Sequence, residues 1–287
     1  MAKKPKLMAV AQTLKSQRKS TPKPALQPSQ ETKKSQHTVS PSPRLRPTYD
    51  TERTILLLGE GDFSFTKALL DHHLDPNTSH VIATTLDSEE ITVEKYPNAQ
   101  DTLTYLRDHD IDVLFNIDAT RLASYKKLHK FTFGRVIFNF PHSGAGIKDQ
   151  DRNIRHHQLL LASLFQSIHQ LISLKSIDNT NRPQLHITLK QGEPYASWNI
   201  KGLAKRHGWS TLFSAVFDPK AYPGYEHRRT LGWKEGVSVG DNAEIIQGKG
   251  SRVYIFTPVL DTVSTQNPKP KKRKHTSIHG SDDEDEV

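Results

Sequence analysis

Ile55-Leu56-Leu57-Leu58-Gly59-Glu60-Gly61-Asp62-Phe63-Ser64-Phe65 decides the fold. Four consecutive apolar residues that stop at a glycine predict a short parallel strand buried on both faces. Phe63 to His72 can form a helix directly after it. A strand, a Gly-x-Gly turn and a helix, in that order, open a doubly wound α/β sheet, and the turn lies where such sheets bind ligands. Gly59 permits the tight turn, and Gly61 lets a ligand approach the backbone closely.

The same alternation continues outward. His80 to Leu86, Val113 to Ile117, Arg135 to Phe140 and Leu185 to Leu189 read as further strands. Two more, near Leu212 to Phe217 and Val253 to Phe256, close the pattern. Ile91 to Arg107 is helical with a break at Pro97. Ile154, Leu161, Leu164, Phe165, Ile168, Leu171 and Ile172 recur at helical spacing, and Ile200 to His207 is a short helix. Strand–helix alternation of this length predicts an α/β, Rossmann-like fold: a mostly parallel sheet with helices on both faces.

Composition narrows the chemistry. The chain of 287 residues has no cysteine, which excludes disulfides, cysteine-bound metals and a thiolate nucleophile. No metal site is expected. No apolar run approaches the ~20 residues of a membrane span, and the N-terminus lacks a secretory pattern. Hydrophobic residues make up 34%, so part of the chain is expected to stay unfolded. Residues 1–50 carry eleven Lys/Arg against two acidic residues, residues 51–268 carry 24 of each, and the last 19 carry five of each. The net charge of +9 therefore sits on the N-terminal arm, which suits either a polyanion such as RNA or a merely solvated tail. The expected organisation is a basic arm over 1–50, a catalytic body over 51–260 and a tail over 261–287. That tail pairs a basic cluster of the nuclear-import type, including Lys271, Lys272, Arg273 and Lys274, with the acidic run Asp282 to Glu286.

The turn after the first strand departs from the dinucleotide fingerprint. Ser64 stands where a third glycine would be, and Glu60 and Asp62 would repel a pyrophosphate. A ligand with a sulfonium and an amino group, S-adenosylmethionine, fits two carboxylates better. The candidate cofactor cradle is thus Gly59, Glu60, Gly61, Asp62, Phe63 and Ser64. Asp87, after the second strand, can accept from both ribose hydroxyls, and Asp118, after the third, can meet the adenine amino group. Either could instead be an exposed loop aspartate.

Asn139-Phe140-Pro141-His142 ends the fourth strand. Methyl transfer is an in-line displacement in which the nucleophile is aligned and water excluded. Asn139 can grip a base edge beside the cofactor, Phe140 can support the base, and Pro141 can fix the backbone; the alternative is a proline turn after a core strand. The missing cysteine fits methylation at nitrogen rather than at pyrimidine C5. His142 is the candidate base for a nitrogen-bound proton, unless it is only tied within its loop. Tyr195 and Trp198 could stack on a flipped base or belong to the core. Tyr225, His227, Arg228 and Arg229 form an aromatic and basic segment suited to RNA.

The set Leu58 to Phe65, Ala83 to Ser88, Asn139 to Gly144, Gly192 to Trp198 and Tyr222 to Thr230 resembles the uracil-N3 methyltransferase family of large-subunit ribosomal RNA, over about Thr54 to Phe256. The resemblance implies a class I, seven-stranded methyltransferase sheet and a nuclear or nucleolar protein. It also implies methylation of a uridine N3 in large-subunit rRNA during ribosome biogenesis, with the rRNA or a pre-ribosomal particle as partner. By motif position it assigns Gly59, Gly61 and Asp87 to the cofactor. Competing readings are another RNA base N-methyltransferase, an NAD oxidoreductase, and a non-catalytic RNA-binding assembly factor.

Overall fold

A computed structural model describes residues 49, 53–75, 79–175, 182–232, 240 and 242–259. Nearly all of the N-terminal arm and the import-type cluster Lys271, Lys272, Arg273 and Lys274 lie outside those residues.

Seven strands form one sheet: β1 (Thr54–Leu58), β2 (Val81–Thr84), β3 (Asp112–Leu114), β4 (Phe133–Asn139), β5 (Gln184–Lys190), β6 (Trp209–Phe217) and β7 (Ser251–Pro258), in the spatial order β3-β2-β1-β4-β5-β7-β6. The first five pair in parallel, and β7 inserts antiparallel between β5 and β6. The helices are α1 (Ser64–His73), α2 (Glu89–Lys95), α3 (Ala99–Asp108), α4 (Gln150–Ile172), α5 (Ile200–Arg206) and α6 (Ala243–Ile246).

The apolar run of β1 explains the layering. Leu56 and Leu58 join the core built with Leu161, Leu164, Phe165 and Ile168 of α4. Ile55 and Leu57 join a second core with Leu69 of α1 and Leu103 and Leu106 of α3. Alternate residues of one strand thus anchor helices on opposite faces, as a run without polar alternation requires. The long helix α4 starts where Asp149 accepts the Arg152 N–H at 2.8 Å, satisfying one of its open donors.

Two elements are shorter than the sequence suggests. β2 stops at Thr84, and Leu86 turns outward, 60% exposed. β3 ends at Leu114 because Asn116 adopts a left-handed φ of 59°, which breaks the extended run. Both changes occur at the carboxyl edge of the sheet and leave room beside it. The segment between β6 and β7 folds back to that edge, with Tyr222 and Tyr225 packed on Phe65 and Phe217.

Candidate active site

Two adjoining cavities occupy the carboxyl edge. The larger, about 360 Å³, is walled by the turn Gly59 to Asp62, the Thr85–Asp87 and Ile117–Thr120 loops, Asn139, and the returning segment Tyr225 to Arg228. The smaller, about 320 Å³, lies beyond Phe140 and His142 and is bounded by Lys190, Tyr195, Arg229 and Glu244. Phe140, His142, His227, Arg228 and Thr230 face both. Phe140 holds φ at 53°, an unfavourable conformation for an aromatic residue and one that collects at functional sites.

The β1 turn is shaped by close approach. Gly59 has φ +64°, and a Cβ there would meet the Phe138 ring at 2.4 Å. At Gly61 a Cβ would press on Arg228 Cβ at 3.2 Å and the Tyr96 ring at 3.3 Å. The acidic residues of the turn have separate duties. Glu60 is buried; its Oε2 accepts from the Thr66 N–H at 3.2 Å and the Thr66 hydroxyl at 2.9 Å. Burial pushes its carboxyl up to about 7, against the pull of those two donors. Asp62 does not face a ligand as an open charge. It accepts from Arg228 Nε at 2.6 Å and from the Ser64 N–H at 3.0 Å.

Arg228 is correspondingly withdrawn from the RNA-facing role expected of it. It bridges Asp62 and Glu226, the latter at 2.5 Å, with its side chain only 11% exposed. Ser64 Oγ meets the Glu226 backbone, and Tyr96 Oη donates to the Arg229 carbonyl at 3.1 Å. These contacts clamp the returning segment onto the β1 turn. Ser64 and Phe63 therefore support the turn and do not wall the cavity; Phe63 is wholly buried, edge-on to Phe115.

Asp87 and Asp118 both reach the larger cavity, as expected. Asp87 Oδ2 pairs with Lys95 Nζ at 2.8 Å, and its other oxygen has no partner among the described residues. Asp118 is more occupied: Thr120 donates twice to Oδ1 and Arg121 Nε donates to Oδ2 at 3.2 Å. Desolvation opposes its ionised form, but the donors from Thr120 and Arg121 prevail and hold its carboxyl below the ordinary range. Leu86, Ile117 and Leu160 add an apolar lining that sequence reading missed; the exposure of Leu86 has no explanation in the core.

The hydrogen bonding of His142 favours the loop-tied alternative over the role of base. The Gly144 N–H donates to its Nδ1 at 3.0 Å, so the neutral ring carries its hydrogen on Nε2. Desolvation, then the nearby His157, Arg229 and His156, push its pKa down to about 4 and keep it neutral. His227 is likewise held at about 4 by burial and the cations Lys190, Arg229 and Arg228, with a smaller contribution from His142. Trp198 is 1% exposed and lies flat on His157 at 4.2 Å and 2°, so it backs the smaller cavity from the core. Tyr195 remains half-buried on the wall of the smaller cavity, and Pro141 lines it from within. Tyr225 is a core residue that touches the larger cavity. Arg229 is exposed and has no carboxylate partner among the described residues. Lys190, missed in the sequence, joins it there; its only signal is its position at the end of β5.

A family profile described as rRNA (uridine-N3-)-methyltransferase BTM5-like, of the BMT5-like group, matches residues 56–229. The 25S rRNA (uridine(2634)-N(3))-methyltransferase of Saccharomyces cerevisiae is 32% identical over 265 residues, covering 77% of each chain. Heavy metal-associated isoprenylated plant protein 41 of Arabidopsis thaliana is 35% identical over 61% of this chain, which spans only 32% of that longer protein. Among solved structures, the delta-N METTL16 MTase domain aligns with a TM-score of 0.44 at 15% identity, covering 74% of this chain and 76% of the other.

Two outcomes test this geometry. Arg228→Met leaves Asp62 buried and unpaired, and urea unfolding should show a loss of about 3–5 kcal/mol; a loss under 1 kcal/mol removes the clamp from the account. Glu60 has a folded pKa raised from the ordinary carboxyl value of 4.5, so the folded protein holds the extra proton and loses stability as pH rises from 4.5 to about 7. Glu60→Gln should abolish that loss, so the variant gains on the wild type between pH 5 and pH 8 in thermal melts. An unchanged difference across that range contradicts the assignment.

Proposed function

The chain belongs to the BMT5-like family of rRNA (uridine-N3-)-methyltransferases, and from that premise we propose how its two cavities divide the work. It is an enzyme that uses S-adenosylmethionine to methylate N3 of a uridine in ribosomal RNA. The cofactor supplies a methyl group activated on a sulfonium; the chain's residues bind, align and desolvate.

The larger cavity suits that cofactor by its chemistry. Its acidic lining favours a ligand with cationic amino and sulfonium groups and opposes a pyrophosphate, which disfavours NAD. The unengaged oxygen of Asp87 is an acceptor for ribose hydroxyls. Leu86, Ile117 and Leu160 offer apolar contact to adenine, with Asp118 at the rim as the acceptor for its amino group. A side chain at Gly61 would crowd Arg228 and Tyr96, so the glycine keeps this wall of the cavity open. Glu60 is the carboxyl nearest to neutrality, so a bound cation draws it into the ionised form.

The smaller cavity suits the base. N3 sits on the Watson–Crick edge, so the target uridine is single-stranded or flipped. Tyr195 offers a ring for stacking, worth ~1–3 kcal/mol per base. Lys190 and Arg229 face the same space and meet the RNA backbone. The observation that carries the reading is the meeting of an acidic cavity and a basic one at Phe140, His142 and His227. The substrate is large-subunit rRNA, free or in a pre-ribosomal particle, and the protein works in the nucleolus. The basic cluster Lys271, Lys272, Arg273 and Lys274 supports import. Among the described residues no helix is long and apolar enough to cross a membrane.

Incubation with S-adenosylmethionine and rRNA, followed by nucleoside mass spectrometry, should yield 3-methyluridine. Asp87→Ala should weaken S-adenosylmethionine binding roughly tenfold or more in calorimetry. A methyl group on another atom, or an Asp87→Ala variant with wild-type affinity, overturns the corresponding half of the reading.

A further inference from the structure

The uracil edge presents O4, N3–H and O2 in a row: acceptor, donor, acceptor. Loss of the N3 proton leaves a negative charge shared among N3 and both oxygens. A site that accelerates attack from N3 therefore needs donors at those oxygens, in place before the charge develops.

Neither Asn139 nor His142 is intrinsically a donor. A side-chain amide carries an acceptor oxygen and a donor nitrogen, and a neutral imidazole carries one of each. Their neighbours decide. Thr188 sits opposite Asn139 in the β4–β5 register and is 1% exposed. Its hydroxyl donates to Asn139 Oδ1 at 2.7 Å, which occupies the acceptor. Asn139 Nδ2 is left buried with no hydrogen-bond partner. In His142 the Gly144 N–H occupies Nδ1, which leaves Nε2–H. Asn139 lines only the larger cavity and His142 lines both, so a uracil stacked in the smaller cavity meets the two donors by passing its N3 edge beyond Phe140 to the junction of the cavities. An orphaned buried donor is costly and calls for a ligand acceptor.

We propose that Asn139 Nδ2 and His142 Nε2 donate to the two uracil oxygens that flank N3, with Thr188 and the Gly144 N–H as the positioning groups that fix their donor polarity. This rests on the reading of uridine N3 as the target. The N3–H bond breaks with its proton passing to solvent; the freed pair on N3 binds the methyl carbon, and the carbon–sulfur pair stays with sulfur. No side-chain base is required, in keeping with a neutral His142 whose lone pair is engaged. The same polarity selects uracil over cytosine, whose exocyclic amine would meet a donor head-on.

The test uses the full chain, saturating S-adenosylmethionine, and RNA carrying either uridine or 5-fluorouridine at the target, whose N3 proton is more acidic. Thr188→Val should lower kcat on uridine about tenfold or more. It should recover most of that on 5-fluorouridine and keep its affinity for S-adenosylhomocysteine in calorimetry, and Thr188→Ser should restore the uridine rate. His142→Gln, which keeps a donor, should outperform His142→Phe, and only the Phe variant should gain strongly from fluorine. Should Thr188→Val lose S-adenosylhomocysteine binding, the His142 pair decides alone. Wild-type turnover of Thr188→Val on uridine, or equal losses on both RNAs in variants that still bind S-adenosylhomocysteine, overturns the proposal. A wild-type enzyme that leaves N3 unmethylated overturns instead the reading beneath it.

Discussion

The ion pair between Asp62 and Arg228 joins the two ends of the site. Its partners are 166 residues apart, one in the turn after β1 and one in the segment returning from β6. Both side chains are nearly buried, 4% and 11% exposed, so their attraction is poorly screened. Charges this buried are costly to desolvate, and the cost is offset only by good geometry and further hydrogen bonds. Those are present: Glu226 on Arg228, Ser64 on the Glu226 backbone, and the Ser64 N–H on Asp62. The pair brings His227, Arg228 and Thr230 against Phe140 and His142, and these residues form the wall between the cavities.

That wall separates opposite electrostatics. Glu60, Asp87 and Asp118 lie on one side, and on the other Lys190 and Arg229 outnumber Glu244. The two histidines between them are held uncharged: desolvation leads at both, followed by His157, Arg229 and His156 at His142, whose side chain keeps an exposed edge, and by Lys190, Arg229 and Arg228 at the more enclosed His227. A neutral, donor-rich boundary between a cationic cofactor and a base that acquires negative charge suits methyl transfer. The strained φ of Phe140 marks the same boundary, and the fold holds that strain through the Phe140 N–H bond to the Thr188 carbonyl at 2.9 Å.

Much of this was legible in the residues. The unbroken apolar run of β1 required two cores, and the helical spacing from Ile154 to Ile172 required a helix on one of them. The position of Gly59 to Asp62 after that strand located the crevice. What periodicity does not encode is which distant partner a polar group finds. Asp62 and Arg228 each looked like a ligand contact, and each instead satisfies the other. Trp198 could be read as a stacking ring or as a core residue, and His157 lies flat against it. His142 looked like a base because histidine titrates near neutrality, yet a backbone N–H two residues on fixes the opposite role. Thr188 gave only one hint, a polar residue within the apolar β5 strand.

The most direct measurement is a crystal structure of the ternary complex with S-adenosylhomocysteine and an oligonucleotide bearing the target uridine. The account predicts the homocysteine and ribose beside Glu60 and Asp87, and the uracil beyond Phe140 with O2 and O4 toward Asn139 Nδ2 and His142 Nε2. Adenosine bound in the Lys190 and Arg229 cavity, or a base stacked outside the wall formed by Phe140, His142 and His227, would contradict it.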